Sequence, residues 1–478
     1  MHQNKIIFLV CLTFLIEGCA TRRYRAEPIS PPESAAQLKA RSLEDAQLRA
    51  FIQQNLGHKI TPWPPSSWDL DLLTLAAFYL NPDLETARAR LAATEASVVT
   101  AGARPNPDIR IAPGGETSPE SPWLFGFRFD LPIETAGKRG YRVERARSLT
   151  EAARFDLTDT AWGVRKRVRV ALLNHLLAVR ELGLLQNQQQ VLTERTKLLE
   201  VRLQVGEIPR PELDVAQIEL SNARLGISIA EGWVHETQAV LAAAIGVSSS
   251  ALNGVQFSWP SLEELPSEEQ ISEDLIERDA VLNRLDVRRA LAEYAAADTA
   301  LKLEIAKQYP DLHIGPGYDF DEGHHKFSLG VGLTLPIFNR NQGPIAEAEA
   351  RRKETGTQFL ATQARVIGDS ESALARYRAA LAQFHEADES LMKLQSVREQ
   401  MIRQAVSVGE TDRLELNGVL FQSTVAANAR LDALHRAQTA LGTLEDAVQK
   451  PLERGGAVLP LPQSSSRDGI QKEGNQTQ

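Results

Sequence analysis

The residues of this sequence whose types and spacing invite a chemical reading are acidic side chains that recur beside a repeated glycine. Val205-Gly206-Glu207 is followed by Glu212-Leu213, and Val408-Gly409-Glu410 is followed at the same spacing by Glu415-Leu416. Asp214 and Asp412 lie close by, with Arg202 and Arg413 as cationic neighbours for ion pairs. Glycine has a local reason at such points, because bending or reversing a long helix needs positive φ or close backbone approach. A plain helix C-cap accounts for the glycine alone, and a solvated helix surface accounts for each glutamate alone. His324-His325 are potential metal ligands, but two adjacent histidines in the turn expected at 321–325, without further ligands, make a weak site, and no metal site is assigned. The basic run Arg165-Lys166-Arg167 with Arg169 reads as a solvated helix face, and Trp162 and Trp233 as packing residues. No phosphate loop, metalloprotease helix or nucleophile elbow is present, so neither a catalytic residue nor a cofactor is assigned.

The frame around these residues is duplicated. Asp83 returns as Asp286, Pro107-Asp108 as Pro310-Asp311 and Gly140 as Gly343, at a spacing of about 203 residues. Leu131-Pro132-Ile133 matches Leu335-Pro336-Ile337 one residue out of step. So long a period is no solenoid repeat; each copy reads as a half-domain that completes its core beside the other. The expected division is 1–18 signal peptide, 19–67 tether and collar, 68–255 first repeat, 256–280 linker, 281–452 second repeat and 453–478 disordered tail.

Composition narrows the class. With 43% hydrophobic and 24% charged residues and a net charge of -9, the chain is neither wholly disordered nor equipped for nucleic acid. Cys11 and Cys19 are the only cysteines. Lys5 and the apolar run 6–16 have the form of a signal peptide, too short to span a bilayer. Ile16-Glu17-Gly18-Cys19 is similar to a bacterial lipobox, which makes Cys19 the lipidation candidate; Glu17 departs from that pattern, and cleavage after Ala20 is the alternative.

Each repeat holds the same succession of elements. Ala-rich helices are expected near 83–104 and 286–308. Strands follow: Phe125, Phe127, Phe129 and Leu131 alternate with smaller or polar residues, as do Phe327, Leu329, Val331, Leu333 and Leu335. The expected hairpins are 108–113 with 123–131, and 311–320 with 326–335. Strands of about ten residues with one greasy face suit a membrane β-barrel, yet four strands cannot close one. From roughly 135 to 205 and 344 to 408 the composition predicts helices on the order of 100 Å long, each returning after a break, along 212–245 and 413–448. Leu414, Val419, Leu420, Val425, Leu431, Leu434 and Leu441 keep a near-heptad rhythm suited to coiled-coil packing.

This arrangement, over about 68–452, resembles the TolC-type outer-membrane efflux family. Ala101-Gly102-Ala103-Arg104-Pro105-Asn106-Pro107, Gly137-Lys138-Arg139-Gly140 and Leu335 through Gly343 look like its CzcC-like cation-efflux branch. The resemblance implies a mainly α fold with a membrane β-barrel part: a homotrimer with a twelve-stranded barrel and a periplasmic tunnel of helical hairpins. It implies a periplasmic adaptor, an inner-membrane resistance-nodulation-division pump and outer-membrane lipid as partners, and divalent cations as cargo. Arg202, Leu203, Gly206, Val408 and Gly409 would be the tips on which the adaptor docks; Glu415, Glu212, Asp412 and Arg413 would line the aperture, where three copies of a carboxylate favour cations. Gly418 stands where the family often has another acidic residue. Phe125, Phe127, Phe129, Phe327, Leu329, Val331 and Leu333 would face lipid. The same fold also serves drug efflux and type I secretion, and an exported coiled-coil scaffold without a pore is the reading from another class.

Overall fold

The structure is a computed structural model and describes residues 24–115, 123–321 and 324–452. Cys11, Cys19 and the tail expected from 453 lie outside the described residues. A first compact unit, up to Arg41, contains helix α1 (Pro31–Lys39).

The second unit begins with α2 (Ala46–Leu56), α3 (Leu70–Leu80) and α4 (Pro82–Ala101). Strands β1 (Asp108–Gly115) and β2 (Trp123–Ile133) lead into α5 (Lys138–Gln204), a helix of 67 residues, and α6 (Arg210–Ile245) runs back along it. After α7 (Glu273–Asn283), the second repeat has α8 (Leu285–Ala306), β3 (Leu312–Asp321), β4 (His324–Leu333), α9 (Gln342–His385), α10 (Met392–Ser407) and α11 (Arg413–Val448). Two details differ from the pattern read in the sequence. Residues 256–280 are not simply a linker, since α7 starts within them, and Trp68 N–H and C=O bond Gln256 and Ser258 back to the start of the first repeat. The second long helix is interrupted by a π-helical turn at Glu386–Leu391, a widening invisible to a 3.6-residue period.

The four strands form one antiparallel sheet in the order β1-β2-β3-β4. Its register places Ile109 opposite Phe129, Ile111 opposite Phe127, Phe127 opposite Tyr318, and Tyr318 opposite Phe327. Side chains alternate in a strand, so Phe125, Phe127, Phe129, Phe327, Leu329, Val331 and Leu333 share one apolar face. Phe327 is 82% exposed and Leu329 71%, although the Phe327 ring meets that of Tyr318 at 5.3 Å. The other face carries Gly126, Gly317, Gly330, Arg110, Arg128 and Lys326. His324 and His325 are the first residues of β4 rather than part of a turn; His325 Nδ1 lies 2.8 Å from Tyr318 Oη.

The core gathers around the middle of α5. Val164, Val168, Leu172 and Leu173 are buried there with α3 residues Leu73, Leu75 and Ala76, and with Leu241, Trp259 and Leu434. Each such aliphatic side chain contributes about 1.5–3 kcal/mol on burial. Of the heptad series, Val419, Leu434 and Leu441 are buried, while Val425 is exposed.

Candidate gate and docking tips

Both helical hairpins turn at glycine. Gly206 has φ 78° and Gly409 φ 80°, the left-handed region in which a side chain is strained. Glu207 N–H donates to Arg202 C=O at 2.9 Å and Glu410 N–H to Ala405 C=O at 2.9 Å, closing the last turns of α5 and α10 in the same way. Leu203 and Leu414 pack against Leu199, Leu213 and Ala216, so a small apolar cluster ties one tip to the root of α11. Val408 is 64% exposed and remains outside it.

Asp412 caps α11: its Oδ1 accepts Glu415 N–H at 2.8 Å, while its Oδ2 accepts Arg202 Nη2 at 2.5 Å. Arg202 belongs to the first repeat and Asp412 to the second, so this pair joins the two hairpins at their tips. The Glu415 amide first, and then the Arg202 guanidinium, hold the Asp412 carboxyl below the usual carboxylate range. Asp214 is taken by Arg210 on its own helix at 2.8 Å, and Arg413 has no ion-pair partner among the described residues. Glu212 and Glu415 are both exposed, with Glu415 accepting the hydroxyl of Thr411. Thus Arg202 and Asp412 come together with Glu415, whereas Glu212 sits in the equivalent place on the other tip.

Other polar groups contradict the reading of their segments. Arg165 and Arg169 are not on a solvated face: they are 6% and 2% exposed, because that face of α5 packs on α11. Arg165 Nη1 lies 3.0 Å from Glu445 Oε2, and Arg169 donates to Gln438 C=O and Oε1 at 3.0 and 2.8 Å. Lys166 does reach solvent, pairing with Asp446, which also accepts Trp162 Nε1–H. Trp233 is 44% exposed and is not a core packing residue. Beside the π turn, Arg430 bonds Asp388 and, at 2.7 Å, Glu263, which also takes Arg180 at 2.8 Å. One signal for the first cluster was present in the sequence: Gln438 and Glu445 interrupt the apolar stripe Leu434, Leu441, Val448. Among the described residues no group of three or more His, Cys, Asp or Glu could hold a metal, and no helix is long and apolar enough to cross a membrane.

Residues 76–247, essentially the first repeat, match the family described as outer membrane efflux protein. The cobalt-zinc-cadmium resistance protein CzcC of Cupriavidus metallidurans is 25% identical over 320 residues, covering 66% of this chain and 75% of that protein. The pyoverdine export outer membrane protein OpmQ of Pseudomonas putida is 25% identical over 428 residues, covering 78% of this chain and 82% of its own length. The crystal structure of the outer membrane protein VceC from Vibrio cholerae has the same fold, with a TM-score of 0.64 at 19% identity over 80% of this chain and 97% of that one. Long helical hairpins with glycine tips, a four-stranded sheet open at both edges and these likenesses agree: the chain has the fold of the solved outer-membrane channels, its first repeat matches the outer membrane efflux protein family, and CzcC is among the proteins it is similar to.

Proposed function

We propose that the chain works as a homotrimer, the outer-membrane exit duct of a tripartite system whose energy comes from an inner-membrane resistance-nodulation-division pump and whose periplasmic adaptor docks on the hairpin tips. The observation that carries this reading is the sheet: one continuous apolar face lies exposed, and β1 and β4 have unpaired outer edges. Open edges and bare aromatic rows are aggregation hazards in water and are satisfied together when three sheets close a twelve-stranded barrel in lipid. In this assembly the repeats span 68–255 and 281–452, the apolar face meets lipid, and Arg202, Leu203, Gly206, Val408 and Gly409 form the docking tips. The Arg202–Asp412 pair acts as the latch of the periplasmic aperture, with Glu415 and Glu212 setting its charge.

For cargo, divalent cations such as cobalt, zinc or cadmium are the first reading, supported by the likeness to CzcC. Export of a metal-chelating or drug-like molecule is the second, supported by the longer match to OpmQ. Deletion of the gene, followed by growth on cobalt, zinc and cadmium and on dyes and detergents, separates them. Cation export predicts metal sensitivity restored by the intact gene; unchanged metal tolerance with new drug sensitivity removes the cation assignment.

A further inference from the structure

The duplication supplies a template for a contact that a single chain leaves unmade. Inside the chain, the end of β2 and the turn into α5 are bolted to the start of β3. Lys138, 7% exposed, donates from Nζ to Tyr309 C=O at 2.6 Å and to Asp311 Oδ1 at 2.8 Å. Thr135 N–H donates to the same carboxylate at 2.8 Å, and its hydroxyl donates to Pro310 C=O at 2.7 Å. Next to this lock, β2 pairs with β3 through Leu131 opposite Ile314 and Ile133 opposite Leu312.

Both halves of that seam recur in the sequence. Asp108-Ile109-Arg110-Ile111-Ala112-Pro113-Gly114 corresponds to Asp311-Leu312-His313-Ile314-Gly315-Pro316-Gly317, and Leu131-Pro132-Ile133 to Leu335-Pro336-Ile337. Backbone geometry agrees with the second correspondence, since α5 and α9 start from the left-handed N-cap residues Gly137 and Asn341. Yet the recurring halves are apart. Leu335 is 62% exposed, Ile337 65% and Phe338 97%, and residues 104–110 are exposed throughout. Strand β4 stops at Leu333, the counterpart of Phe129, whereas β2 continues to Ile133 along its partner. The missing stretch, 334–337, is the part that in β2 is held by β3.

We infer that the segment 335–340 of one copy is the docking surface for residues 107–111 of a second copy, in the register of the internal seam: Leu335 opposite Ile111 and Ile337 opposite Ile109. This rests on the trimeric reading above and specifies its joint. The pairing is antiparallel, continues the sheet order from β4 to the neighbour's β1, and keeps Leu335, Ile337, Ile109 and Ile111 on the shared apolar face. It also extends β4 by one turn of pleat beyond Leu333. At the lock, Thr135 is replaced by Asn339, and Lys138 by the uncharged Gln342, whose Oε1 accepts Arg340 N–H at 2.9 Å. Arg340 is exposed and has no ion-pair partner among the described residues; Asp108 is in the same position. Arg340 of one copy and Asp108 of the next therefore supply the charge pair that Lys138 and Asp311 make within the chain.

Disulfide trapping in outer-membrane preparations tests the register. Ile111→Cys is combined in one chain with Leu335→Cys, and separately with Leu333→Cys or Ile337→Cys, with the native chain, which carries Cys11 and Cys19, as background. On oxidation the Leu335→Cys combination should give cross-linked trimer at about tenfold or more the yield of the other two, because a two-residue slip puts Cα atoms beyond the roughly 7 Å a disulfide spans. Charge exchange gives a second readout: Asp108→Lys or Arg340→Glu alone should lower the temperature at which the trimer dissociates, and the two together should restore it. A trimer that cross-links best through residue 333 or 337 overturns the register and leaves the trimeric reading standing. A chain of single-copy mass with no cross-link in any combination overturns both.

Discussion

Asp412 does two jobs, and separating them tests the latch. Its Oδ1 caps α11 and its Oδ2 holds Arg202, so Asp412→Ser keeps a capping oxygen and removes the ion pair, while Asp412→Ala removes both. The pair is partly solvated, with side chains 33% and 53% exposed, which places it at about 0.2–1 kcal/mol rather than the larger worth of a buried bridge. In the proposed trimer three latches act together, roughly 0.6–3 kcal/mol, which raises the open population from about threefold to about a hundredfold at 1.4 kcal/mol per decade. The cap adds about 0.5–2 kcal/mol of helix stability per chain, lost only in the Ala variant. Conductance in planar bilayers, normalised to electrolyte conductivity, should therefore rise in both variants at 0.1 M salt, with unfolding shifted mainly in Asp412→Ala. At 1 M salt, where the screening length falls from about 10 Å to about 3 Å, the native channel should approach the Ser variant. The reversed pair Arg202→Asp with Asp412→Arg should recover low conductance. If Asp412→Ser conducts like the native protein at 0.1 M salt, Asp412 is a helix cap and the latch argument fails.

Acid should act on the same pair. The Asp412 carboxyl is held low in the folded chain, so its contribution persists from neutral pH down through the ordinary carboxylate range and is lost as pH falls below about 4, where conductance should rise; a flat profile down to pH 3 counts against it. Placing arginine on the apolar face, Phe127→Arg or Val331→Arg, should stop outer-membrane assembly, each costing about 2–4 kcal/mol near the bilayer midplane; normal heat-modifiable trimer from both variants would refute the lipid-facing assignment. Glu445→Gln removes the carboxylate that faces Arg165 in the interior, while Arg169 keeps its bonds to Gln438, and should lower stability by about 3–5 kcal/mol, read by thermal unfolding, whereas Glu207→Gln at an exposed tip should leave it unchanged. Glu415→Gln should reduce the preference for cations in reversal-potential measurements; an unchanged potential would assign Glu415 to the helix surface only.

Local periodicity made much of this molecule legible. Strand alternation at Trp123–Ile133 and His324–Leu333, the long helices ending at Gly206 and Gly409, and the recurrence of both are properties of neighbouring residues, so they can be read from the chain in order. Sequence by itself determined the two-repeat plan, the single apolar face of each hairpin and the glycine tips, because backbone sterics and side-chain period act over a few residues. Tertiary structure decided which charges are bare. The basic run at 165–169 looks solvated until α11 lies against it, and the partners of Arg169 are some 270 positions away at Gln438. The π turn at Glu386–Leu391 follows no pattern of residue types, and the Arg180, Glu263, Arg430 and Asp388 chain exists only where four distant segments meet. The same holds for the open seam. Repetition announces two equivalent joints, but that one is closed inside the chain by Lys138 and Asp311, and the other left exposed at Phe338, depends on where β2 and β3 come together in space.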